Sequence, residues 1–516
     1  MTARARIRLG ALAFAPALAL TALAPQAAWA GALAGPILDT GRSVVLEDVV
    51  QLPATGAAPR TRINVLREAP DGSGRLFVND LRGPLHVIDG ATVSTYLDMD
   101  ALRASFITSP GLAMGFVSFA FHPDFASNGL FYTVHTESPG GTPTHGPAEP
   151  ATISNHSILT EWTATNPAAD AFSGSSREIL RIAATSHFHN LGEIAFDPNA
   201  GPGHPDYGLL YLANGDYGAV NSLGEPEQIQ RLDTLYGALL RIDPLGGDGS
   251  PYSYGIPADN PYVSDGDPDT FGEILAHGFR NAHRIHWSRQ GLGGPFVTDI
   301  GQGNLEEVNV LVAGQNYGWP EREGSYALDP DADPETVFAL PPNDASFGFT
   351  YPVAQYDHEE GRAIAGAILC EQDPASSLHG KLVFSDIVNG RIFYAHAGIM
   401  MAADDGDPET TAPVAALTLV HEGSEKTLLQ VVRDELGQPT LARVDLRLAS
   451  DEAGTLYLMT KRDGFVRRLV PDTVAVPALP GAGAIVLATA LVAGAWWGLR
   501  GARRSGAPTG SSRSRR

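Results

Sequence analysis

Six times between residues 31 and about 473, a polar Gly/Asp turn leads into a short run of Leu, Phe, Tyr and Val. The six stretches are Asp71–Val78, Asn128–Tyr132, Tyr207–Tyr211, Gly294–Val297, Gly380–Phe384 and Ala453–Tyr457. An apolar run leaving a Gly/Asp turn reads as a β-strand. A second likeness, Phe121-His122-Pro123-Asp124 against Phe196-Asp197-Pro198-Asn199, precedes two of these runs. A four-stranded antiparallel blade takes about 40 to 50 residues, so the wider spacing here leaves room for inserted loops. The pattern predicts an all-β chain, a six-bladed β-propeller, in which radial repetition protects the sheet edges. A non-repetitive β-sandwich is the competing reading of the same turns. Residues 137–154, 258–272, 329–345 and 402–412 carry no regular pattern and are expected to be loops, the usual carriers of function.

Both ends break the pattern. Leu9 to Ala24 is apolar and uncharged, follows Arg4, Arg6 and Arg8, and runs into Ala28-Trp29-Ala30. That order reads as a secretory signal cut before Gly31. At the other end, Ala482 to Leu499 is uncharged and mostly apolar, at the short end of a membrane span. It follows Val476-Pro477-Ala478-Leu479-Pro480 and precedes Arg500, Arg503, Arg504, Arg513, Arg515 and Arg516. The tail resembles the PEP-CTERM-like sorting tails of bacterial surface proteins. The resemblance implies trimming by a membrane protease, or retention as an anchor with the arginines cytoplasmic. The expected parts are a signal peptide (1–30), a propeller (31–473) and a sorting or transmembrane tail (474–516). The expected location is outside the cytoplasm: periplasm, outer surface or medium.

Charge and cysteine content then exclude whole classes. The chain has 58 acidic and 35 basic residues, a net charge of −23. A strongly acidic chain repels phosphate backbones, so nucleic acid is not an expected partner. Because both end segments are basic and carry no acid, the middle is more acidic than the whole. The single cysteine, Cys370, rules out an intramolecular disulfide, a CxxC pair and a four-cysteine zinc site. It lies in an apolar run from Ala363 and reads as a small buried hydrophobe.

No phosphate loop, HExxH, nucleophile elbow or GxGxxG follows a predicted strand. Hard-cation and acid/base chemistry remain. The clusters Asp265/Asp267/Asp269, Asp329/Asp331/Asp333/Glu335 and Asp404/Asp405/Asp407/Glu409 match no complete calcium loop and read as solvated acidic loops. Asp299 to Asn309 differs: a Gly-rich turn with accessible carbonyls joins Glu306 and Glu307, a set that can bind Ca²⁺ or simply form a turn. His189 precedes one predicted strand and Asp216 follows the next. The two can meet at one mouth, where a carboxylate orients a histidine as general base. Arg280, in His277-Gly278-Phe279-Arg280-Asn281, is either a salt-bridge partner or a stabiliser of negative charge.

In this order the stretches resemble the soluble pyrroloquinoline-quinone (PQQ) dependent glucose/sorbosone, or aldose sugar, dehydrogenases. Phe119–Phe125, His189–Gly192, Gly215–Gly218, Leu239–Pro244, Ile256–Pro261, Gly278–Asn281, 299–309 and Gly314–Pro320 carry the likeness. It implies a six-bladed propeller with PQQ and Ca²⁺ as cofactors, oxidising an aldose at C1 to the lactone. His189 then matches the base, Asp216 its supporting carboxylate, and Arg280 with Asn281 the pair facing the cofactor. Gly301 and Gln302 match the backbone ligands of the Ca²⁺ at the quinone. Glu306, Glu307 and Tyr317 match a second, structural Ca²⁺ site. The sequence departs from the family at Ala113-Met114-Gly115, and the cofactor-binding lysine has no counterpart in Phe384–Gly390. Of two late arginines only Arg443 has a match. These departures support a second expectation, a non-catalytic Ca²⁺-stabilised surface propeller that binds a carbohydrate or protein. A third is a Ca²⁺-dependent lactonase. The dehydrogenase reading also implies a sugar substrate and an electron acceptor of unknown identity.

Overall fold

A computed structural model describes residues 36–110, 113–146, 153–247 and 253–472. The signal and tail segments lie outside the described residues. Among the described residues no helix is long and apolar enough to cross a membrane.

The protein is all-β, built mainly from six four-stranded units. The first strand of each unit is Ile63–Glu68, Phe116–Phe121, Leu191–Phe196, Ala282–His286, Ile364–Cys370 and Leu446–Ser450. These six touch one another in a closed cycle, first to second and so on, with the sixth back against the first. Four-stranded units around such a ring are consistent with a propeller, each unit a blade. The second strands are Leu76–Asp80, Leu130–Glu137, Leu210–Asn214, Phe296–Asp299, Lys381–Asp386 and Leu456–Thr460. Each begins inside one of the six turn-plus-apolar stretches.

These strands are buried on both faces because neighbouring blades pack face to face. Leu76–Asp80, Phe116–Phe121 and Lys381–Asp386 are buried at every position. Between the first and second blades the filling is aromatic: Phe77, Phe119, Phe121, Phe125 and Phe131 form one cluster with Trp162. Phe121 and Phe125 have ring centroids 4.6 Å apart, and Phe77 meets Phe121 edge-on at 5.0 Å. Such pairs add to the simple burial of area.

The sixth blade takes its fourth strand from the other end of the chain. Leu38–Gln51 pairs antiparallel with Phe465–Pro471. Its other edge pairs in parallel with Ala415–His421 of the fifth blade. This strand therefore joins the fifth and sixth blades into one sheet.

Two loop expectations need correction. Within 329–345, Asp333–Phe338 forms a strand of a three-stranded sheet with Arg322–Glu323 and Tyr326–Asp329. Val337 is buried there, so one apolar side chain anchors a strand whose acidic neighbours disguise it. The stretch 402–412 begins inside a short helix, Ala397–Ala403. The three acidic clusters lie mostly at exposed positions, with Asp333 half-buried.

Antiparallel pairing puts the start of each first strand and the end of each second strand at the same end of a blade. His189, Arg280, Asn281 and Arg443 stand just before first strands. Asp216, Gly301 and Gln302 stand just after second strands. All seven therefore lie at one mouth of the ring.

Closure by the N-terminal strand depends on its inward side chains, Val44 and Leu46, which are 0% and 2% exposed. Leu46→Ala is expected to lower the unfolding free energy by about 3 kcal/mol, measured by urea denaturation. A loss below about 1 kcal/mol would show that closure does not rest on this contact.

Candidate active site

His189 ends the link between the second and third blades with a left-handed backbone, φ 48°. Residue 215, directly beside it, must be glycine, since a Cβ there would overlap the His189 carbonyl oxygen and Cβ. The close approach brings Asp216 under the imidazole. His189 Nδ1 lies 2.7 Å from Asp216 Oδ1, which also accepts the Gly218 N–H at 2.7 Å. Asp216 Oδ2 accepts Trp319 Nε1–H at 3.0 Å. The Asp216 N–H donates to the Arg280 carbonyl at 2.8 Å, tying the third blade to the fourth.

The electrostatics follow from this arrangement. Burial pushes the Asp216 pKa up, but His189, Arg280 and the Gly218 N–H outweigh it and hold the group below the ordinary carboxylate value. An ionised Asp216 requires the proton on His189 Nδ1 and leaves Nε2 as the acceptor. Burial, and then the charge on Arg280, hold the His189 pKa below 6.5. The imidazole is therefore neutral near pH 7, with 18% of its side chain exposed to the mouth.

Arg280 is fixed on every side. Its Nε and Nη2 donate to Gln302 Oε1 at 2.9 and 2.7 Å, and Nη1 donates to the Ile300 carbonyl at 3.0 Å. Its guanidinium lies 5.7 Å from the Trp319 ring centroid. The backbone N–H groups of Arg280 and Asn281 donate to the two Asp299 oxygens at 2.9 and 2.6 Å. Gln302 thus meets Arg280 through its side chain. Its own turn is held by Glu323 Oε1, which accepts the N–H groups of Gln302, Gly303, Asn304 and Leu305 at 2.8 to 3.0 Å. Gly301 allows the turn, because a Cβ there would overlap the Leu305 carbonyl oxygen.

The remaining sequence candidates spread apart. Glu306 and Glu307 are consecutive in the strand Leu305–Val310, so they face opposite sides. Glu306 binds His358 Nε2 at 2.8 Å and the Ile364 N–H at 2.8 Å. Glu307 accepts from Gly324 N–H at 2.5 Å and Asn309 Nδ2 at 3.0 Å. Burial raises the pKa of both Glu307 and Asp299, its cross-strand neighbour. Tyr317 stacks on Phe279 at 4.3 Å and donates its hydroxyl to the Val310 carbonyl at 2.6 Å. Among the described residues no three His, Cys, Asp or Glu side chains stand together to hold a metal ion. Arg443 pairs with Asp445, which also binds Arg462 at 3.1 Å.

The family model described as Glucose / Sorbosone dehydrogenase matches residues 64–406. The chain belongs to the glucose/sorbosone dehydrogenase family. Among curated relatives it is 26% identical over 393 residues to the HIPL1 protein of Arabidopsis thaliana, covering 65% of this chain and 52% of that one. It is 28% identical over 229 residues to quinoprotein glucose dehydrogenase B of Acinetobacter calcoaceticus, covering 41% and 40%. The chain thus spans about half the length, or less, of these relatives. The solved PQQ-bound aldose sugar dehydrogenase of Streptomyces coelicolor superposes with a TM-score of 0.51 at 19% identity, covering 84% of this chain and 99% of that one. That likeness concerns the fold.

Within this glucose/sorbosone dehydrogenase family chain, sequence reasoning missed Trp319, Asp299 and Glu323. Trp319 stood in the quoted Gly314–Pro320 stretch, but its bond to Asp216 spans 103 positions. Glu323 lies in a two-residue strand with no motif of its own.

The cause of the lowered His189 pKa can be checked by NMR titration. Wild-type His189 is expected to titrate below 6.5, and Arg280→Met to move it upward by removing a neighbouring positive charge. A downward move in that variant would refute the assigned cause.

Proposed function

We propose that the chain is an exported quinoprotein oxidoreductase that oxidises an aldose sugar at C1 to the lactone. PQQ is the electron acceptor and Ca²⁺ the assisting ion. The observation that carries this reading is the His189–Asp216 pair at 2.7 Å, with Arg280 on the same mouth. His189 Nε2 accepts the proton of the C1 hydroxyl. Asp216, ionised and held by three donors, stabilises the imidazolium that results and keeps the ring in one orientation. Arg280, locked by Gln302 and Ile300, presents a fixed positive charge where negative charge develops. Fixed donors of this kind need no reorganisation during the reaction.

The two cofactors make different demands on the residues present. PQQ is a carboxylated quinone that supplies a two-electron acceptor when bound. The mouth suits an anion, since Arg280, Arg443, Lys461 and Arg462 gather there on a chain of net charge −23. Arg280, Asn281 and Arg443 are the residues that would hold it. The side chains expected at a second Ca²⁺ site do not fit one ion, because Glu306, Glu307 and Tyr317 point to separate partners. The same spread argues against a lactonase, which needs converging carboxylates around an open metal position.

The longer of the two curated alignments is with HIPL1, whose name states no dehydrogenase activity. It favours a second reading, a non-catalytic propeller binding a carbohydrate or protein.

Incubation of the full chain with PQQ and Ca²⁺, then assay of dye reduction with a panel of aldoses, separates the two. Turnover is expected, and His189→Ala is expected to reduce kcat about 10²- to 10⁴-fold while quinone binding persists. No dye reduction with any aldose would sink the dehydrogenase reading. Near-normal turnover in His189→Ala would remove the base assignment alone.

A further inference from the structure

The sixth blade brings two buried basic side chains, neither bonded to a carboxylate among the described residues, to the mouth that carries His189. Lys461 follows the second strand of that blade and is 5% exposed. Among the described residues its ammonium makes no ion pair and no hydrogen bond. Arg447, in the first strand, is 8% exposed. Its Nε donates to Asn64 Oδ1 at 2.9 Å and its Nη1 to the Leu446 carbonyl at 2.7 Å, both neutral acceptors. The Asn64 carbonyl accepts Arg284 Nη2 at 2.9 Å, so Asn64 links Arg447 to a third cation from the fourth blade. Burial, and then all three cations, hold the His283 pKa well below its ordinary value.

No carboxylate among the described residues is bonded to Lys461 or Arg447. Asp445 attracts both but is itself bonded to Arg443 and Arg462, and Asp80 attracts Lys461 from farther off. Glu193 lies 3.4 Å from Arg284 but is bonded closely to Arg67. Burial, and then Arg447, push the Lys461 pKa far down. Burial, and then Arg284, push Arg447 to about 9. A buried charge without a partner is strongly destabilising, so a fold that places two such groups, Lys461 and Arg447, near one opening suits an incoming anion. Guanidinium and ammonium groups together suit carboxylates.

We propose that Lys461 and Arg447, backed by Arg284, form a carboxylate-binding site at the channel mouth. It takes a small polycarboxylate and supplies the cationic grip for which the family's cofactor-binding lysine has no counterpart here. The identity of that ligand as the quinone rests on the function proposed above; the site itself rests on the unpaired cations.

Quinone binding to the full chain is measured by absorbance titration, with ligand-free and ligand-bound melting temperatures alongside. Lys461→Met and Arg447→Met are each expected to weaken quinone binding at least tenfold, and Lys426→Met, a surface control, to leave it unchanged. Lys461→Met is also expected to raise the melting temperature of the ligand-free chain, since it replaces a buried amine that has no hydrogen-bond partner with an apolar side chain of similar length. Unchanged quinone affinity in both variants would overturn the site and leave the dehydrogenase reading standing. If the wild-type chain binds no quinone, but citrate raises its melting temperature at matched ionic strength and Lys461→Met abolishes that rise, the site stands and the quinone falls. If neither quinone nor citrate binds, both fall.

Discussion

The carboxylate of Asp216 is where the architecture and the chemistry meet. It accepts bonds from the third-blade turn, the His189 imidazole and the Trp319 indole, while its own N–H reaches the fourth blade. Each donor comes from a different part of the chain. Taking the carboxylate away would leave a buried indole N–H unpaired, an unanchored imidazole and a loosened junction between blades. A buried group with several charge-assisted bonds favours one geometry over nearby alternatives. The fixed tautomer of His189 is one consequence of that geometry, and the placement of Arg280 over Trp319 is another.

Legibility in the sequence followed distance along the chain. The second strand of every blade was visible, because a turn and the apolar run after it are adjacent and both strand faces are buried. His189 and Asp216 were visible for a related reason: each flanks an apolar strand, His189 before the first of its blade and Asp216 after the second. The closing strand Leu38–Gln51 was not visible, since both of its partners lie hundreds of positions away. The strand Asp333–Phe338 was hidden by its acidic neighbours, whose pattern is that of a solvated loop. Trp319, Glu323 and Lys461 escaped because their meaning lies in what folding places beside them. The carboxylates Glu306 and Glu307 show the opposite error. Adjacent in sequence, they looked like one site, and the two-residue period of a strand separates them.

Charge is distributed in a way the total conceals. The acidic clusters lie mostly at exposed positions, whereas several of the cations line one opening of the ring. Exposed acidic loops keep the surface soluble and repel polyanions in general. An anion that does arrive finds its favourable contacts concentrated at that mouth, beside His189 and Arg280. Selectivity for a small anion over a polymeric one follows from geometry, because a long polyanion cannot leave the repelling surface.

The strand Leu38–Gln51 also sets an order on events. Its antiparallel partner, Phe465–Pro471, is the last strand described, and the two enclose the whole ring between them. Pairing of such distant segments is slow and waits on the rest of the chain. The first strand described can pair with Ala415–His421 earlier, but its other edge stays open until the last one arrives. The ring therefore becomes a closed body only at the end, and every blade before the sixth must hold together without it.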